Sequence, residues 1–486
     1  MQVLFATPEV APWVKSGGLG DVSRALPAAL AAAGAEVRLL VPNYPAMQAS
    51  FPDGAILARI DPPGGEFPAS VLREIPLEKG LALWCLDCPA LYARPGSAYQ
   101  DEQGKDFTDN ARRFGLLSRV AALLAAEASP LAWRPDVVHA NDWPLGLAPA
   151  YAAYAGGRHA PMVMAVHNLA FQGNFELSEL PALGLPPEAA QAEGVEYFGQ
   201  LSFLKAGLQF ARHIVTVSPR YAQEILDETF GYGFAGLLRW RRADLSGILN
   251  GIDTRLWDPA TDPALVANFD RANLAPKVKN TAALRHAFHL NEEPKLPLIG
   301  MVGRLTEQKG VDWVLAAAAE ILSLPAQLVI LGRGEKSLEK ALRELAQRYP
   351  GKIAVHIGFD ETLAHRIEAA ADMFLMPSRF EPCGLNQMYS MRYGTPPIVH
   401  AVGGLADTVI DVDAEKLEAG SATGFCFAAP GASAMMTALR RAVALWADPP
   451  AWHRLMRNGM RRDFGWAPVA QEYLALYRRL LPSTAR

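Results

Sequence analysis

The sequence predicts an α/β protein with two doubly wound parallel sheets, one in each half of the chain, facing each other across a cleft. The length of 486 residues exceeds the roughly 250–300 residues at which a single hydrophobic core stops growing. Short apolar runs between turn residues alternate with helical patterns, which is typical of buried parallel strands. This series restarts after a polar, proline-containing stretch at 251–295, so a second sheet is expected there.

In the first half, each predicted strand is followed by a loop and a helical pattern. The strand Val3–Ala6 precedes a helix predicted at Leu19–Ala33, which ends at a glycine. The other strands predicted in this half are Glu36–Val41, Val137–Ala140, Met162–His167, Ile214–Ser218 and Gly247–Leu249. We therefore predict an N-terminal domain over residues 1–250.

In the second half, the strand Leu298–Val302 opens the new series and is followed by a helix predicted at Val311–Leu322. Further strands are predicted at Leu328–Leu331, Ile353–Ile357, Met373–Met376 and Ile398–Val399. The C-terminal domain is predicted over residues 251–465. The segment 466–486, with a helix at Pro468–Leu481, can pack on either domain, including by crossing back to the first.

Composition and charge exclude several classes of protein. The net charge is −4, so there is no general electrostatic reason to bind nucleic acid or anionic lipid. No run approaches the roughly 18–20 apolar residues that span a bilayer, and the N-terminus lacks the basic and apolar regions of a signal peptide. Four cysteines in a chain of this length indicate ordinary thiols and a cytoplasmic location, although Cys85 and Cys88 leave a redox or half-metal site open.

The first motif with chemical potential is the glycine-rich run Lys15–Asp21, which follows the first strand and opens a helix. Glycines at Gly17 and Gly18 let the backbone approach a ligand closely, and helix N–H groups favour an anion. Lys15 adds a full positive charge. The run matches neither a dinucleotide fingerprint nor a P-loop. Diphosphate binding and a solvated turn both remain open from the residues alone.

Two further motifs in the first half follow strands. The run His167–Gly173 begins with a histidine and Asn168, whose donors and acceptors suit sugar hydroxyls. The run His139–Trp143 includes Asp142, which could hold a hydroxyl or orient a base, and a tryptophan that could face a sugar ring. A core role for each histidine and for the tryptophan is the alternative.

The second half carries two matching motifs. Arg304 and Lys309 lie on one loop after the first strand of this half, where they could bind phosphate oxygens or simply be surface cations. Glu381 lies at a later strand-to-helix turn, and the N–H groups after it would face an anion or a sugar oxygen. Those N–H groups belong to Cys383, Gly384 and Leu385. No partner set supports Cys383 as a nucleophile.

Together these motifs resemble those of the starch synthases and bacterial glycogen synthases, which are retaining glycosyltransferases of the GT-B fold with two Rossmann-like domains. The matching runs lie in family order across nearly the whole chain: K-S-G-G-L-G-D (15–21), H-N-L-A-F-Q-G (167–173), L-N-G-I-D (249–253), V-G-R-L-T-E-Q-K-G (302–310), E-P-C-G-L (381–385) and V-G-G-L-A-D-T-V (402–409). The motifs of the second half recur in many GT-B enzymes, whereas the first two are more specific.

The resemblance implies transfer of glucose from ADP-glucose to the non-reducing end of an α-1,4-glucan such as glycogen, with retention and without a metal or other cofactor. Its catalytic positions correspond to Glu381, Arg304, Lys309, His167 and Asp142. Its substrate-binding positions correspond to Lys15, Gly17, Gly18, Asp21, Asn168, Asn250, Phe359, Cys383, Gly384 and Leu385. In this assignment His167 contacts the glucose 6-hydroxyl and Glu381 contacts the transferred glucose.

Three positions depart from the family pattern. Phe359 stands where a tyrosine often stacks on adenine, Asn386 replaces a common threonine, and Thr281 replaces a lysine. These changes bear on nucleotide affinity and not on the class of reaction. The alternatives are a GT-B enzyme that uses a UDP-sugar, a glucan phosphorylase, for which no cofactor lysine is identified, and a non-enzymatic sugar- or nucleotide-binding protein.

Overall fold

A computed structural model describes residues 1–481 and divides the chain into two compact units. The first unit contains residues Met1–Gly251 and the segment that begins at Trp466. The second contains Ile252–Gly465.

The first unit is built on a nine-stranded sheet with the order β12-β11-β7-β6-β1-β2-β5-β4-β3. Its seven strands from β12 to β5 are mutually parallel, whereas β4 and β3 continue the sheet in antiparallel pairing. A separate three-stranded sheet has the order β8-β10-β9. The strands are β1 Gln2–Ala6, β2 Glu36–Pro42, β3 Ala55–Ile60, β4 Ser70–Glu78, β5 Leu81–Asp87, β6 Val137–Asn141, β7 Met162–Val166, β8 Asn174–Glu176, β9 Glu196–Tyr197, β10 Gln200–Ser202, β11 His213–Thr216 and β12 Leu245–Gly247.

The second unit is built on a six-stranded, fully parallel sheet with the order β15-β14-β13-β16-β17-β18. Renumbered within the unit, this order is 3-2-1-4-5-6, the strand order of a doubly wound dinucleotide-binding fold. The strands are β13 Leu298–Val302, β14 Gln327–Gly332, β15 Ile353–Ile357, β16 Met373–Met376, β17 Pro397–His400 and β18 Phe425–Phe427. Both sheets therefore have the α/β class that the apolar runs predict.

Helices connect the strands. In the first unit they are α1 Gly18–Ala32, α2 Pro45–Ser50, α3 Pro89–Tyr92, α4 Asn110–Ala125, α5 Leu147–Ala155, α6 Phe203–Phe210, α7 Pro219–Glu224 and α8 Ala235–Trp240. In the second they are α9 Lys277–Ala287, α10 Val311–Ala316, α11 Ala318–Ser323, α12 Lys336–Arg348, α13 Glu361–Ala370, α14 Asn386–Arg392, α15 Gly403–Thr408, α16 Ala414–Glu418, α17 Ala432–Trp446 and α18 Pro449–Met460. The last helix, α19 Trp466–Leu480, belongs to the first unit.

The C-terminal helix α19 is fixed in the first unit by buried contacts. It packs against α1, and its Tyr473 and Tyr477 are buried in the same core as β1. The hydroxyl of Tyr477 lies 2.8 Å from Nδ1 of His139, whose ring stacks on Phe5. Burial lowers the pKa of His139 to about 3, so the ring is neutral at physiological pH. His139 is thus a core histidine, the structural alternative stated above.

Several predicted bounds were wrong. The strand predicted at Gly247–Leu249 lies two residues earlier, because Leu245 pairs with Ile214 on β11. The predicted helix Val311–Leu322 is divided at Ala317, although the backbone hydrogen bonds from Ala317 to Trp313 and from Ile321 to Ala317 continue across the division. The strands β3, β4, β5 and β18 and the small sheet were not predicted.

The sheet topologies mark where a ligand is expected. In doubly wound sheets, ligands bind outside the carboxyl ends of the strands where the strand order reverses. In the first unit this point lies between β1 and β6, and in the second it lies between β13 and β16. The loops after these four strands carry Lys15, Asp142, Lys309 and Glu381. These four predicted residues are thus at the switch points of their own sheets, whereas His167 follows β7 and Phe359 follows β15.

Candidate active site

The glycine-rich turn of the first unit carries a partly exposed cation. Lys15 Nζ lies 2.8 Å from Oδ1 of Asp21, and the Lys15 side chain is 27% exposed. Ser16, Gly17 and Gly18 are exposed, and α1 begins at Gly18. A Cβ on Gly17 would meet nothing within 4 Å, so this part of the turn is open to a ligand.

The loop after β6 carries a buried carboxylate, that of Asp142. Asp142 is buried with a left-handed φ of 59°, and its Oδ1 has no hydrogen-bond partner among the described residues. Burial raises the pKa of Asp142 to about 7, although hydrogen bonds from the backbone N–H groups of His167, Trp143 and Asn168 act in the opposite direction. A buried acceptor without a partner is costly unless a ligand satisfies it.

His167 follows β7 beside this carboxylate loop. Its Nε2 lies 3.1 Å from Oδ1 of Asn141, and the Asn141 amide nitrogen donates to the carbonyl of Ala6 at 2.9 Å. Burial lowers the pKa of His167 to about 4, so the ring is neutral near pH 7. Because the Asn141 oxygen accepts, Nε2 carries the proton and Nδ1 is left as an acceptor. A neutral donor–acceptor ring suits a sugar hydroxyl.

The other predicted residues of the first unit have distinct surroundings. Asn168 Oδ1 accepts the N–H of Ala170 at 3.0 Å, which shapes the turn after β7. Asn250 is 5% exposed, and its Oδ1 has no partner among residues 1–481. Trp143 packs among Tyr99, Phe114, Phe175 and Phe203. This tryptophan is thus part of an aromatic core cluster.

The raised pKa of Asp142 gives a testable pH dependence of stability. The folded protein holds a proton that the unfolded chain releases above its ordinary pKa of 3.8, so this stabilisation is present at low pH and is lost as pH rises through about 7. Asp142→Asn removes the ionisation. We expect its melting temperature relative to wild type to rise by at least about 2–4 °C between pH 5 and pH 8.5. The exposed Asp53→Asn should show no such change, and an equal offset for Asp142→Asn at both pH values would contradict this account.

In the second unit, the loop after β13 presents two cations. Arg304 is exposed, and its guanidinium donates to Oε1 of Gln308 at 3.0 Å. Lys309 forms an ion pair with Oε2 of Glu381, and its side chain is 21% exposed. Gly310 then has a φ of 72°, and a Cβ there would lie 2.1 Å from the Pro377 carbonyl oxygen. Only glycine lets the two loops approach this closely.

Glu381 is held from two sides after β16. Its side chain is 7% exposed and its Oε2 accepts both the Lys309 ammonium and the Ser378 hydroxyl, the latter at 3.0 Å. The N–H of Gly404 donates to the Glu381 carbonyl at 3.1 Å, and this close approach requires glycine at 403, because a Cβ there would lie 2.0 Å from the same oxygen. The carboxylate is thus oriented before any ligand arrives, as catalytic preorganisation requires.

The segment after Glu381 leads into α14. Cys383 is buried and Gly384 has a φ of 70°, which favours glycine at this turn. The amide nitrogen of Gln387 donates to the carbonyls of Cys383 and Gly384 at 3.1 and 3.0 Å. Leu385 precedes the first helical residue, Asn386, whose amide donates to the Val302 carbonyl at 3.1 Å.

Two supports of this loop were missed by the sequence reasoning. Ser378 was not singled out, although its position two residues after a predicted strand is a usable signal. Arg379 was not singled out either. Its guanidinium donates to both carboxylate oxygens of Asp312 on α10, at 2.6 and 2.5 Å, and lies 4.8 Å from the Trp313 ring. This ion pair lowers the pKa of Asp312 and ties the Glu381 loop to α10.

Phe359 lies between β15 and α13, and it is 79% exposed. An aromatic ring left this open in water is available to stack on a flat ligand. Cys85, Cys88 and Cys426 are free thiols, and burial raises the pKa of Cys85 to about 12, so this thiol is not a reactive thiolate.

No group of three or more His, Cys, Asp or Glu side chains within residues 1–481 is arranged to hold a metal ion. None of the helices in that range is long and apolar enough to cross a membrane.

The sequence families of the two halves define the class of protein. Residues 2–240 match the starch synthase catalytic domain, and residues 284–461 match glycosyl transferases group 1. The catalytic domain of starch synthase IV from Arabidopsis thaliana, solved bound to ADP and acarbose, has a TM-score of 0.86 at 33% identity and covers 99% of each chain. A sucrose-phosphate synthase from Thermosynechococcus elongatus, with a TM-score of 0.59 at 20% identity, shares the fold. The chain is a glycosyltransferase of the GT-B fold, which confirms the predicted fold class.

Close relatives narrow the class to a family. A glycogen synthase from Dechloromonas aromatica is 55% identical over 485 residues, covering 100% of this chain and 99% of that protein. One from Aromatoleum aromaticum is 54% identical over 477 residues, covering 98% of this chain and 96% of that protein. The chain belongs to the glycogen synthase and starch synthase family. The resemblance stated from the motifs is confirmed, while the roles of the individual residues stay predictions.

Proposed function

We propose that this chain is a glycogen synthase that transfers glucose from ADP-glucose to the 4-hydroxyl at the non-reducing end of an α-1,4-glucan, with retention at C1. The observation that carries the proposal is the Lys309–Glu381 pair at the switch point of the second unit, oriented by Ser378. The relatives named glycogen synthase and the Arabidopsis structure with ADP and acarbose support the donor and acceptor classes.

The proposed chemistry centres on the leaving group. The bond between glucose C1 and the diphosphate oxygen breaks with its electron pair on the diphosphate, while the sugar takes oxocarbenium character. The acceptor oxygen then bonds to C1 and its hydroxyl proton is lost, giving ADP and a glucan longer by one glucose. Lys309, Arg304 and Lys15 supply positive charge to the diphosphate. Their side chains are the chain's own means of stabilising negative charge on the departing ADP.

The sugar is proposed to meet neutral and unpaired polar groups. His167, with a pKa lowered to about 4, offers an uncharged ring to the 6-hydroxyl. Asp142 and Asn250 each hold a buried oxygen without a partner among the described residues, and sugar hydroxyls are donors that fit such acceptors. Glu381 contacts the transferred glucose. Asp21, Asn168 and the N–H groups of residues 383–385 complete the proposed substrate contacts.

We also propose that the reaction needs no metal ion and takes place in the cytoplasm. The cations of Lys309 and Arg304 suit the task that a divalent ion performs in other diphosphate chemistry. The free thiols of Cys85, Cys88 and Cys426 suit a reducing compartment. Turnover should therefore persist in excess EDTA, and loss of turnover that added Mg²⁺ restores would contradict the metal-free proposal.

Phe359 gives a prediction about the nucleotide. If its exposed ring stacks on adenine, Phe359→Ala removes a contact worth about 1–3 kcal/mol per base. We expect the KM for ADP-glucose to rise about 5- to 100-fold with kcat changed much less. Phe198→Ala is the matched control, because Phe198 is 82% exposed and lies in the first unit. An unchanged KM in Phe359→Ala would remove adenine stacking from this residue.

The experiment that tests the proposed function is ADP release from ADP-glucose with and without added glycogen. Release that depends on glycogen, with new glucose in linkages that an α-1,4-specific glucosidase removes, is the expected result. Binding of ADP-glucose without release would instead indicate a sugar-nucleotide-binding protein. Release from UDP-glucose alone would indicate the alternative donor.

A further inference from the structure

Glu9 is a buried acid beside the glycine-rich turn of the first unit, and the reaction proposed above gives it no role. It lies three residues after β1 and is 2% exposed. Its Oε2 accepts the backbone N–H of Ser16 at 2.6 Å. Ser16 is the residue directly after Lys15, so this hydrogen bond fixes the backbone from which the Lys15 side chain extends.

The Glu9 carboxylate is itself held by a rigid backbone. The hydroxyl of Thr7 donates to the Glu9 carbonyl at 3.0 Å and lies 2.7 Å from the Ser23 hydroxyl on α1. The hydroxyl of Tyr44 donates to the Pro8 carbonyl at 2.9 Å. The acid therefore has a fixed position from which to hold the turn.

Backbone hydrogen bonds from Ala11 to Gly20, from Val14 to Val10 and from Gly20 to Gly17 frame the turn on either side of Ser16. Ser16 and Gly17 are exposed and pack no side chain into the core. A turn of this kind depends on its backbone hydrogen bonds, and a bond to an ionised carboxylate is about twice as strong as a neutral one. We expect its loss to free the backbone at Ser16, which leaves Lys15 positioned by its ion pair with Asp21.

The charges around Glu9 come from several elements. Lys15 of the turn and Asp21 of α1 face it from one side, and Asp142 after β6 interacts with it from another. Burial raises the pKa of Tyr44, directly before α2, and of Tyr99, and the charge of Glu9 raises both further. Burial raises the pKa of Glu9 to about 7, with Asp21 raising it and Lys15 lowering it. The carboxylate therefore gains a proton as pH falls from 8 to 6.

We propose that Glu9 is a positioning residue that anchors the Lys15 turn through the Ser16 N–H and so holds Lys15 ready for the donor diphosphate. The role of Lys15 rests on the proposed function. A preorganised cation costs less entropy when the ligand binds, so the anchor acts mainly on donor affinity.

The test compares Glu9→Ala with Glu9→Gln in the full chain. Glu9→Ala removes the acceptor, and we expect the KM for ADP-glucose at pH 8 to rise at least about 10-fold with a smaller fall in kcat. Glu9→Gln keeps a carbonyl oxygen at the same place and should return KM to within about 3-fold of wild type, the residual difference being the loss of charge. At pH 6, where Glu9 is protonated, wild type and Glu9→Gln should have the same KM.

Glu224→Ala is the matched control, because Glu224 is a buried acid of the same unit that pairs with Arg220 on α7. It should lower stability without changing KM. A wild-type KM in Glu9→Ala, or a Glu9→Gln as defective as Glu9→Ala, would overturn the proposal.

Hydrogen exchange of the Ser16 amide tests the hydrogen bond from Ser16 to Glu9 independently of enzyme activity. We expect faster exchange in Glu9→Ala and protection in Glu9→Gln. If the exchange rates differ in this way but the wild-type protein does not use ADP-glucose, the proposed function is wrong and the positioning role of Glu9 is confirmed. If the Ser16 amide exchanges equally in wild type and Glu9→Ala, the anchor is wrong whatever the activity.

Discussion

Lys309→Ala is expected to lower kcat by about 10²–10³, the usual cost of removing one preorganised group that stabilises developing charge. Lys309 is part of the loop after β13, and its ammonium is fixed by the ion pair with Glu381. A group held in this way needs no reorganisation when negative charge develops on the leaving diphosphate. The loss should therefore appear in kcat as well as in kcat/KM.

The measurement is steady-state glucose transfer with a folding control. Lys340→Ala removes an exposed lysine of the same unit, whose Nζ lies 3.9 Å from Glu344, and should leave kcat unchanged. Circular dichroism should show both variants folded. Turnover by Lys309→Ala within about 3-fold of wild type would remove this residue from the catalytic set.

Glu381→Ala is expected to cause a loss of similar size, at least about 10² in kcat. Glu381→Gln removes the negative charge and keeps the size of the side chain. Its amide oxygen can still accept a hydrogen bond from the Ser378 hydroxyl, but it no longer forms an ion pair with Lys309. If the carboxylate charge supports the sugar cation, Glu381→Gln will be nearly as slow as Glu381→Ala. If Glu381 only orients Lys309, Glu381→Gln will keep most of its activity.

The double variant of Lys309 and Glu381 tests whether the pair acts as a unit. Their side chains are in direct contact, so the separate losses should not add. We expect the double variant to be slowed by about as much as the worse single variant. Fully additive losses would show that each residue acts alone, in conflict with the geometry described above.

Most of the parallel strands could be predicted from sequence because they are buried on both faces. Runs such as Leu328–Leu331 and Met373–Met376 are apolar throughout, which is the pattern of a covered parallel sheet. The antiparallel edge was missed because β4 and β3 carry polar and exposed residues among the apolar ones. Such half-exposed strands have a weak signal in a single sequence.

The site could be predicted to the level of loops but not of contacts. Glycines and cations after strands locate Lys15 and Lys309, because doubly wound sheets bring strand ends to one edge. Lys309 and Glu381 lie 72 residues apart in sequence, and Arg379 and Asp312 lie 67 apart. Glu9 and Ser16 are seven residues apart, across a turn that has no regular period. Hydrogen bonds of this kind follow from tertiary packing, so the burial of Glu9 and the support of Ser378 appear only in the structure.

The most direct test of the account is glucose incorporation into glycogen from ADP-glucose and UDP-glucose, measured side by side for wild type and Lys309→Ala. We expect wild type to incorporate glucose faster from ADP-glucose than from UDP-glucose, and we expect the rate of incorporation by Lys309→Ala to be lower by about 10²–10³. Wild-type protein that transfers glucose from neither donor, or a variant as active as wild type, would contradict it.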